Sequence, residues 1–336
     1  MGRRFDLRAP TAGPPVCSDR DSTGPFYAGL IFRLRVIFAF VCLALFCTPA
    51  ASFSADAPPL VIVDIDDASL GKFGRWPWPR DLQARLLRGT QKFSPRAVVL
   101  DLLFSEEDAQ FPEKDRDLAE VIGSGGNVFL AFAFQFGIPG AAPEPERTAL
   151  LRNHALARGR EWDDVLREAS SVLFPLPQFA RKAAGLGFVN VFPESREGGP
   201  GLVRKATLAV SYEGKVYPSL PLAVAMWLRN RTPSNVVLRL GDRIEMGEVN
   251  IRIDSAGDIP LAFSAPGTRF SHVSAARVLD GEDFLSLFRG AIVIIGVNAT
   301  GLSDYHPTPV SFYYPGMELL ATAIDALLSR WPSPAR

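Results

Sequence analysis

Asp64, Asp66 and Asp67 close the β-branched run Val61-Ile62-Val63. Acid clustered where a strand ends suits a hard cation such as Mg²⁺ or Ca²⁺. Ligands also favour that edge of a parallel sheet. In a strand, Asp64 and Asp66 point to one side and Asp67 to the other, so all three converge only where the chain bends. The competing role is structural: Asp66 or Asp67 caps a turn and Asp64 pairs with Arg80 or Arg75. Just downstream lies Trp76-Pro77-Trp78-Pro79-Arg80. Each proline lacks an N–H and restricts the residue before it, so this is an extended, stiffened loop and not helix. Trp76 and Trp78 form an aromatic wall for a ligand, with Arg80 binding a carboxylate or phosphate. Alternatively the rings plug the end of the sheet, one packed inward and the other facing out.

Asp101 closes a second apolar run, and Asn298, Thr300 and Asp304 follow a third that ends at Val297. Topology places them on the same rim as Asp64. The candidate ligand-binding set is Asp64, Asp66, Asp67, Trp76, Trp78, Arg80, Asp101, Asn298 and Asp304. No catalytic residue, metal ligand or cofactor is assigned. An enzymatic alternative is a metal-dependent hydrolase or phosphatase using Asp64 and Asp66. Asp64-Ile65-Asp66-Asp67-Ala68 resembles the Asp-x-Asp-x-Thr nucleophile motif of haloacid-dehalogenase-like phosphatases, with Ala68 in place of the hydroxyl. The acidic pair of that family's last metal-binding motif is not evident later in the chain. His154, His272 and His306 are widely separated and show no His-x-x-x-His spacing. His306 reads as a hydrogen-bonded loop residue.

These residues need strands to carry them. Runs at 60–64, 97–103, 127–134 and 291–297 are continuously apolar, as in a parallel sheet buried on both faces. Between the first two, Asp81 is expected to cap a helix with Leu82, Leu86 and Phe93 on one face, stopped by Ser94-Pro95. A charged helix is expected at 114–122. Residues 137–167, rich in Pro, Ala, Arg and Glu, read as a mobile insertion with a short helix. A strand at 205–212 turns at Glu213-Gly214, and a helix is expected at 221–228. Stretches 236–240, 244–246 and 249–253 read as antiparallel strands, and 259–263 as one more. Helices are expected at 274–279 and 317–329, the last with an amphipathic period through Met317, Leu320, Ala321, Ile324 and Leu328. The fold class is therefore α/β: a mostly parallel central sheet flanked by helices, with a β-rich antiparallel insertion.

The chain has 36 basic and 36 acidic residues, without the basic excess of an electrostatic nucleic-acid binder. Residues 36–47 are an unbroken apolar run preceded by Arg33 and Arg35. That length fits a signal-peptide core of roughly 7–15 residues, and extension at either end makes an uncleaved anchor. Both export the remainder. Cys17, Cys42 and Cys47 lie within or before this run, so the exported portion has no disulfide and no thiol nucleophile. The expected divisions are a polar leader at 1–29, a signal peptide or signal-anchor helix at 30–55, one α/β domain at 59–329 and a tail at 330–336.

The order of blocks resembles the second type of CHASE domain, the cyclase/histidine-kinase-associated sensory extracellular domain. The resemblance runs from about residue 59 to residue 328. It is carried by the Val63-Asp64-Ile65-Asp66-Asp67 run and the Trp76–Arg80 block, then Val98-Val99-Leu100-Asp101 and Gly187-Phe188-Val189-Asn190. Later blocks are 270–279, 290–296 and Gly316-Met317-Glu318-Leu319. Pro200-Gly201-Leu202-Val203-Arg204 departs from the family pattern, with Pro where Asp is usual, so no role for that Asp carries over. The resemblance implies a periplasmic or extracellular sensory input domain, membrane-anchored or exported. It would bind an unknown small-molecule or protein signal and couple to an adenylate or guanylate cyclase or a kinase. Family members usually continue into several transmembrane helices and that output. Here the sequence stops at Arg336, so a truncated product or a separate output protein is expected, with a homodimer as a further possibility. A non-sensing interaction module is the remaining alternative.

Overall fold

The computed structural model describes residues 57–137, 144–157, 166–196 and 199–330. The expected leader, the signal or anchor segment, the tail beyond residue 330 and the middle of the 137–167 insertion lie outside the described residues. The central sheet begins with β1 (Leu60–Ile65), β2 (Ala97–Leu103), β3 (Val128–Gln135), β4 (Ser171–Leu173) and β5 (Gly185–Phe188). The insertion supplies β6 (Glu194–Arg196), β7 (Gly199–Leu202), β8 (Lys205–Thr207), β9 (Ala209–Tyr212) and β10 (Lys215–Pro218). It continues with β11 (Val237–Arg239), β12 (Arg243–Met246), β13 (Val249–Arg252) and β14 (Asp258–Pro260). The chain then returns to the main sheet in β15 (Ser271–Ser274) and β16 (Ile292–Val297), and adds the small pair β17 (Tyr305–His306) and β18 (Tyr314–Pro315).

The main sheet runs β15-β1-β16-β2-β3, and β3 then pairs with both β5 and β4. All of these pairings are parallel except β3 with β4. Alternate side chains face opposite cores. Val61, Val63 and Ile65 join Val98, Leu100, Val293 and Ile295 beneath helices Arg80–Gln91 and Pro112–Ser124. Leu60 and Ile62 join Val99, Ile292 and Ile294 beneath helices Leu220–Leu228 and Gly316–Arg330. This two-sided burial is why the strands read as continuous apolar runs. Because β16 lies between β1 and β2, the loop after Val297 is delivered to the carboxyl ends of both.

The antiparallel insertion is present. β11, β12 and β13 form a meander, and β9 and β10 a hairpin. The hairpin turns at Glu213 and Gly214, whose φ values of 49° and 65° are those of the type I′ turn that matches strand twist. The expected 205–212 strand is divided at Leu208. β8 pairs with β14 while β9 pairs with β10, and the Leu208 N–H turns aside to the Gly257 carbonyl. Asp81 is not a cap: the helix starts at Arg80 with Pro79 as N-cap, and Asp81 sits in the first turn, 3.2 Å from Lys114 Nζ. Helix Asp67–Phe73 was not expected, because its short span contains Gly71 and no apolar period. Helix Pro145–Arg152 lies in the 137–167 stretch. Among the described residues no helix is long and apolar enough to cross a membrane.

Gly187 on β5 faces helix Leu220–Leu228 so closely that a Cβ would strike the Leu220 backbone nitrogen and Cα. Backbone cannot yield as a flexible side chain can. Gly187→Ala is therefore expected to cost about 3 kcal/mol. Gly71, in a helix with open space around its Cα, should behave oppositely, Gly71→Ala adding about 0.5–1 kcal/mol. Urea unfolding of the two variants beside the parent checks both signs.

Candidate functional site

Register places Ser274, Asp64, Gly296 and Asp101 in one row across β15, β1, β16 and β2, at the carboxyl end of the sheet. Asp64 is 6% exposed. Its Oδ1 accepts from Asn298 Nδ2 at 2.7 Å, and its Oδ2 is 2.8 Å from His272 Nδ1. Glu318, from the first turn of the last helix, lies 3.8 Å beyond His272 Nε2. Both Glu318 oxygens accept from the Gly267 N–H, at 2.9 and 3.0 Å. The hydrogen bond to Asp64 holds the His272 pKa above the usual histidine value, with burial opposing it and both carboxylate charges reinforcing it.

Asp66 and Asp67 have separate tasks. Asp66 caps helix Asp67–Phe73, accepting from the Ser69 N–H at 2.8 Å and also from the hydroxyls of Ser69 and Ser274. Asp67 accepts from the Thr300 N–H at 3.1 Å and its hydroxyl at 2.8 Å. The three acids thus each hold a different neighbour: the β15 edge and the loop after β16, the start of a helix, and Thr300. Among the described residues no group of three or more His, Cys, Asp or Glu side chains is placed to hold a metal ion.

The Trp-Pro-Trp-Pro-Arg block is committed to packing. Trp78 is buried, donates its indole N–H to the Gly74 carbonyl at 2.9 Å and lies 6.2 Å from the rings of Phe73 and Trp76. Trp76 is only partly buried, and the peptide between it and Pro77 is cis. Arg80 does not reach Asp64. It donates from Nε to Asp115 Oδ1 at 2.8 Å and from Nη2 to the Glu106 carbonyl at 2.9 Å, above the Phe104 ring. Asp115, 1% exposed, also accepts from the Asp108 N–H. With Asp101, this block borders a wide open groove along residues 102–111.

On the other face, Asp101 opens into a cavity of about 90 Å³. Its polar lining includes Asp304, His306, Lys205 and Asn190, and helix Gly316–Arg330 contributes Leu319, Leu320 and Ala323. Asp304 stands at the mouth, its side chain 78% exposed, with Oδ2 2.9 Å from His306 Nε2. That hydrogen bond holds the Asp304 carboxyl below its usual range. Asp101 has no side-chain hydrogen bond among the described residues. Burial pushes its carboxyl up to about 6, the negative charge of Asp304 adds to the rise, and His306 opposes it. Lys205 is held between Glu194 at 2.9 Å and Asp254 at 3.1 Å, which raise its pKa.

The expected rim is therefore divided. Asp64 with Asn298, Asp66 and Asp67 are each engaged by their own hydrogen-bond partners, Trp76, Trp78 and Arg80 pack the loop beside an open groove, and Asp101 and Asp304 face a cavity. The residues missed were His272, Glu318, Lys205 and Asn190. His272, Asn190 and Glu318 lay inside the sequence blocks named above, but nothing local marks their partners, and 208 positions separate His272 from Asp64.

The fold is a layered α/β domain with a small cavity at the carboxyl rim of its sheet. The family model for the CHASE2 domain matches residues 30–336, and the chain belongs to this family of extracellular sensory domains of signal-transduction receptors. No curated protein and no solved structure matches it.

Two variants separate the bracing groups from the free one. Arg80→Ala leaves the Asp115 carboxylate buried without its charge partner, and a loss of about 3 kcal/mol is expected in urea unfolding. Asp101→Asn should do the reverse. An acid whose folded pKa lies above its unfolded value costs stability as it ionises, so the cost is absent below about pH 4 and complete somewhat above about pH 6. The variant is expected to exceed the parent by about 1–3 kcal/mol at pH 7.5, with the difference vanishing near pH 4.

Proposed function

We propose that this chain is the extracytoplasmic input part of a signal-transduction receptor, carried to or across the membrane by residues 30–55. The domain at 59–329 binds a signal in the cavity between the sheet rim and helix Gly316–Arg330. Asp101 and Asp304 are its ligand-facing acids, and the helix passes the change in occupancy toward the membrane and an output cyclase or kinase. One observation carries this reading: Leu319, Leu320 and Ala323 of the last helix and Asp101 of the sheet line the same cavity. A ligand there touches both bodies, so its affinity differs between two placements of the helix, which is the thermodynamic requirement for signalling.

The hydrolase alternative needs Asp64 free to attack and Asp66 free as an acid. Asn298 and His272 engage the first, and a helix start engages the second. A non-sensing interaction module has its own support in the exposed Val310, Phe312 and Tyr313, the last 75% exposed, on the loop before the helix.

A thermal-shift screen of the full chain against small metabolites, with Ala323→Leu alongside, tests the proposal. Ala323 lines the cavity, so the longer side chain occupies it. A compound present at a hundred times its Kd stabilises the native state by about 2.7 kcal/mol. It should raise the Tm of the parent and not that of a folded Ala323→Leu. No such compound, or one that acts equally on both, removes the cavity as signal site and favours the interaction module.

A further inference from the structure

The chemistry left free in the cavity is one-sided. The Asp101 carboxylate has no hydrogen-bonding side-chain partner among the described residues, and His306 engages only one oxygen of Asp304. The cations nearby are spent. Lys205 is paired with Glu194 and Asp254, and Arg167 donates to both oxygens of Asp258 and to Thr207. Asn190 uses both ends of its amide on the Phe134 backbone, at 2.8 Å each. An anionic ligand would therefore meet two carboxylates without a free cation to offset them. A ligand rich in acceptors would find the neutral hydroxyls of Thr207 and Ser219 but no unpaired lysine or arginine. A group that brings donors and positive charge meets an unpaired acceptor at the floor and a second carboxylate at the mouth.

Apart from the hydroxyls of Thr207 and Ser219, the rest of the lining is apolar, with Phe188, Val189, Leu261, Leu319 and Leu320 among it. At about 10–15 Å³ per water position, the cavity takes a body of about six to nine non-hydrogen atoms. We propose that it takes a small organic cation, a primary ammonium on a short apolar body with Asp101 as counter-ion, an assignment that rests on the cavity being the signal site. Burial raises the Asp101 carboxyl only to about 6, so the group is ionised at neutral pH. Its ionised form is costly while the cavity holds no cation, and an ammonium at hydrogen-bond distance offsets that cost. A charge-assisted hydrogen bond of this kind is among the stronger single contacts in a site. Asp304 at the exposed mouth adds a negative potential that favours entry of a cation over an anion of the same shape.

Isothermal titration calorimetry of the full chain at pH 7.5 tests this with n-butylamine and putrescine against butyrate and n-butanol. The amines should bind and the two uncharged or inverted analogues should not. Asp101→Asn should weaken amine binding about 10–100-fold. It is the variant expected to be more stable than the parent, so misfolding would not account for the loss. No heat from either amine, equal binding of butyrate, or full amine affinity in Asp101→Asn overturns the cation assignment. The cavity itself is judged separately by Ala323→Leu. A non-cationic compound whose binding that variant blocks leaves the cavity standing and removes the cation. Amine binding that survives Ala323→Leu places the amine elsewhere and removes both.

Discussion

The insertion of β16 between β1 and β2 is the constraint on which the rim depends. β1 and β2 are not hydrogen-bonded to one another. Each pairs with Ile292–Val297, through six register positions on one side and five on the other. Until that late segment arrives, the first half of the chain has an open slot in its sheet. Its arrival fills the slot with Ile292, Val293, Ile294 and Ile295, all buried, and so completes both cores at once. The same event brings Asn298 to Asp64 and Thr300 to Asp67. Gly296 sits at the centre of this arrangement, where a Cβ would displace the Met317 side chain of the last helix.

Asp64 and Asp101 stand at equivalent heights on either side of Gly296, yet their environments are opposite. Asp64 has a donor at one oxygen and a histidine nitrogen at the other, so its burial is compensated. Asp101 has neither, and its raised pKa expresses the deficit. A fold able to satisfy one carboxylate of the row so fully had the means to satisfy the other with a nearby Asn or Ser. On the proposed reading, this half-buried carboxylate against the cavity is the counter-charge kept for a ligand.

Much of the architecture was legible, for a reason visible in particular strands. Val98-Val99-Leu100 and Val293-Ile294-Ile295 are buried on both faces, and that condition alone writes an unbroken apolar run. The rim followed, since the acids fall at or near the carboxyl ends of these strands, Asp64 before the last residue of β1 and Asp101 two residues before the end of β2. Partners were not legible. Asp64 is matched to His272 across 208 positions, and nothing local to either residue encodes the match. Arg80 was read toward Asp64 because the two are near in sequence. The helix it begins instead lies beside Pro112–Ser124, which delivers Asp115 to it. Asp81 failed as a cap for a related reason: Pro79 already fixes the chain for helix entry, with no N–H of its own to be satisfied. The alternation of Trp76 and Trp78, by contrast, needed only local geometry, and Trp78 is the more deeply buried ring.

The last helix is not tied evenly to its surroundings, and this shapes what a ligand can do to it. Along one side it is bound to the segment before β15: Glu318 to the Gly267 N–H, Asp325 to Arg269, and Arg330 to the Pro260 carbonyl. Those contacts span the helix from its first turn to its end. Toward the rim of β2, by contrast, Leu319, Leu320 and Ala323 face the cavity. On the proposed reading, an occupant of the cavity would push on a helix already clamped to residues 260–269. The least costly response is for helix and segment to shift together as one body, keeping three charge-assisted contacts intact. Bending the helix would break one or more of them. His272 lies at the seam of that body with the sheet, bonded to Asp64 on one side and 3.8 Å from Glu318 on the other. The gap to Glu318, wider than a hydrogen bond, leaves the seam its weakest polar link at the point where such a shift would have to occur.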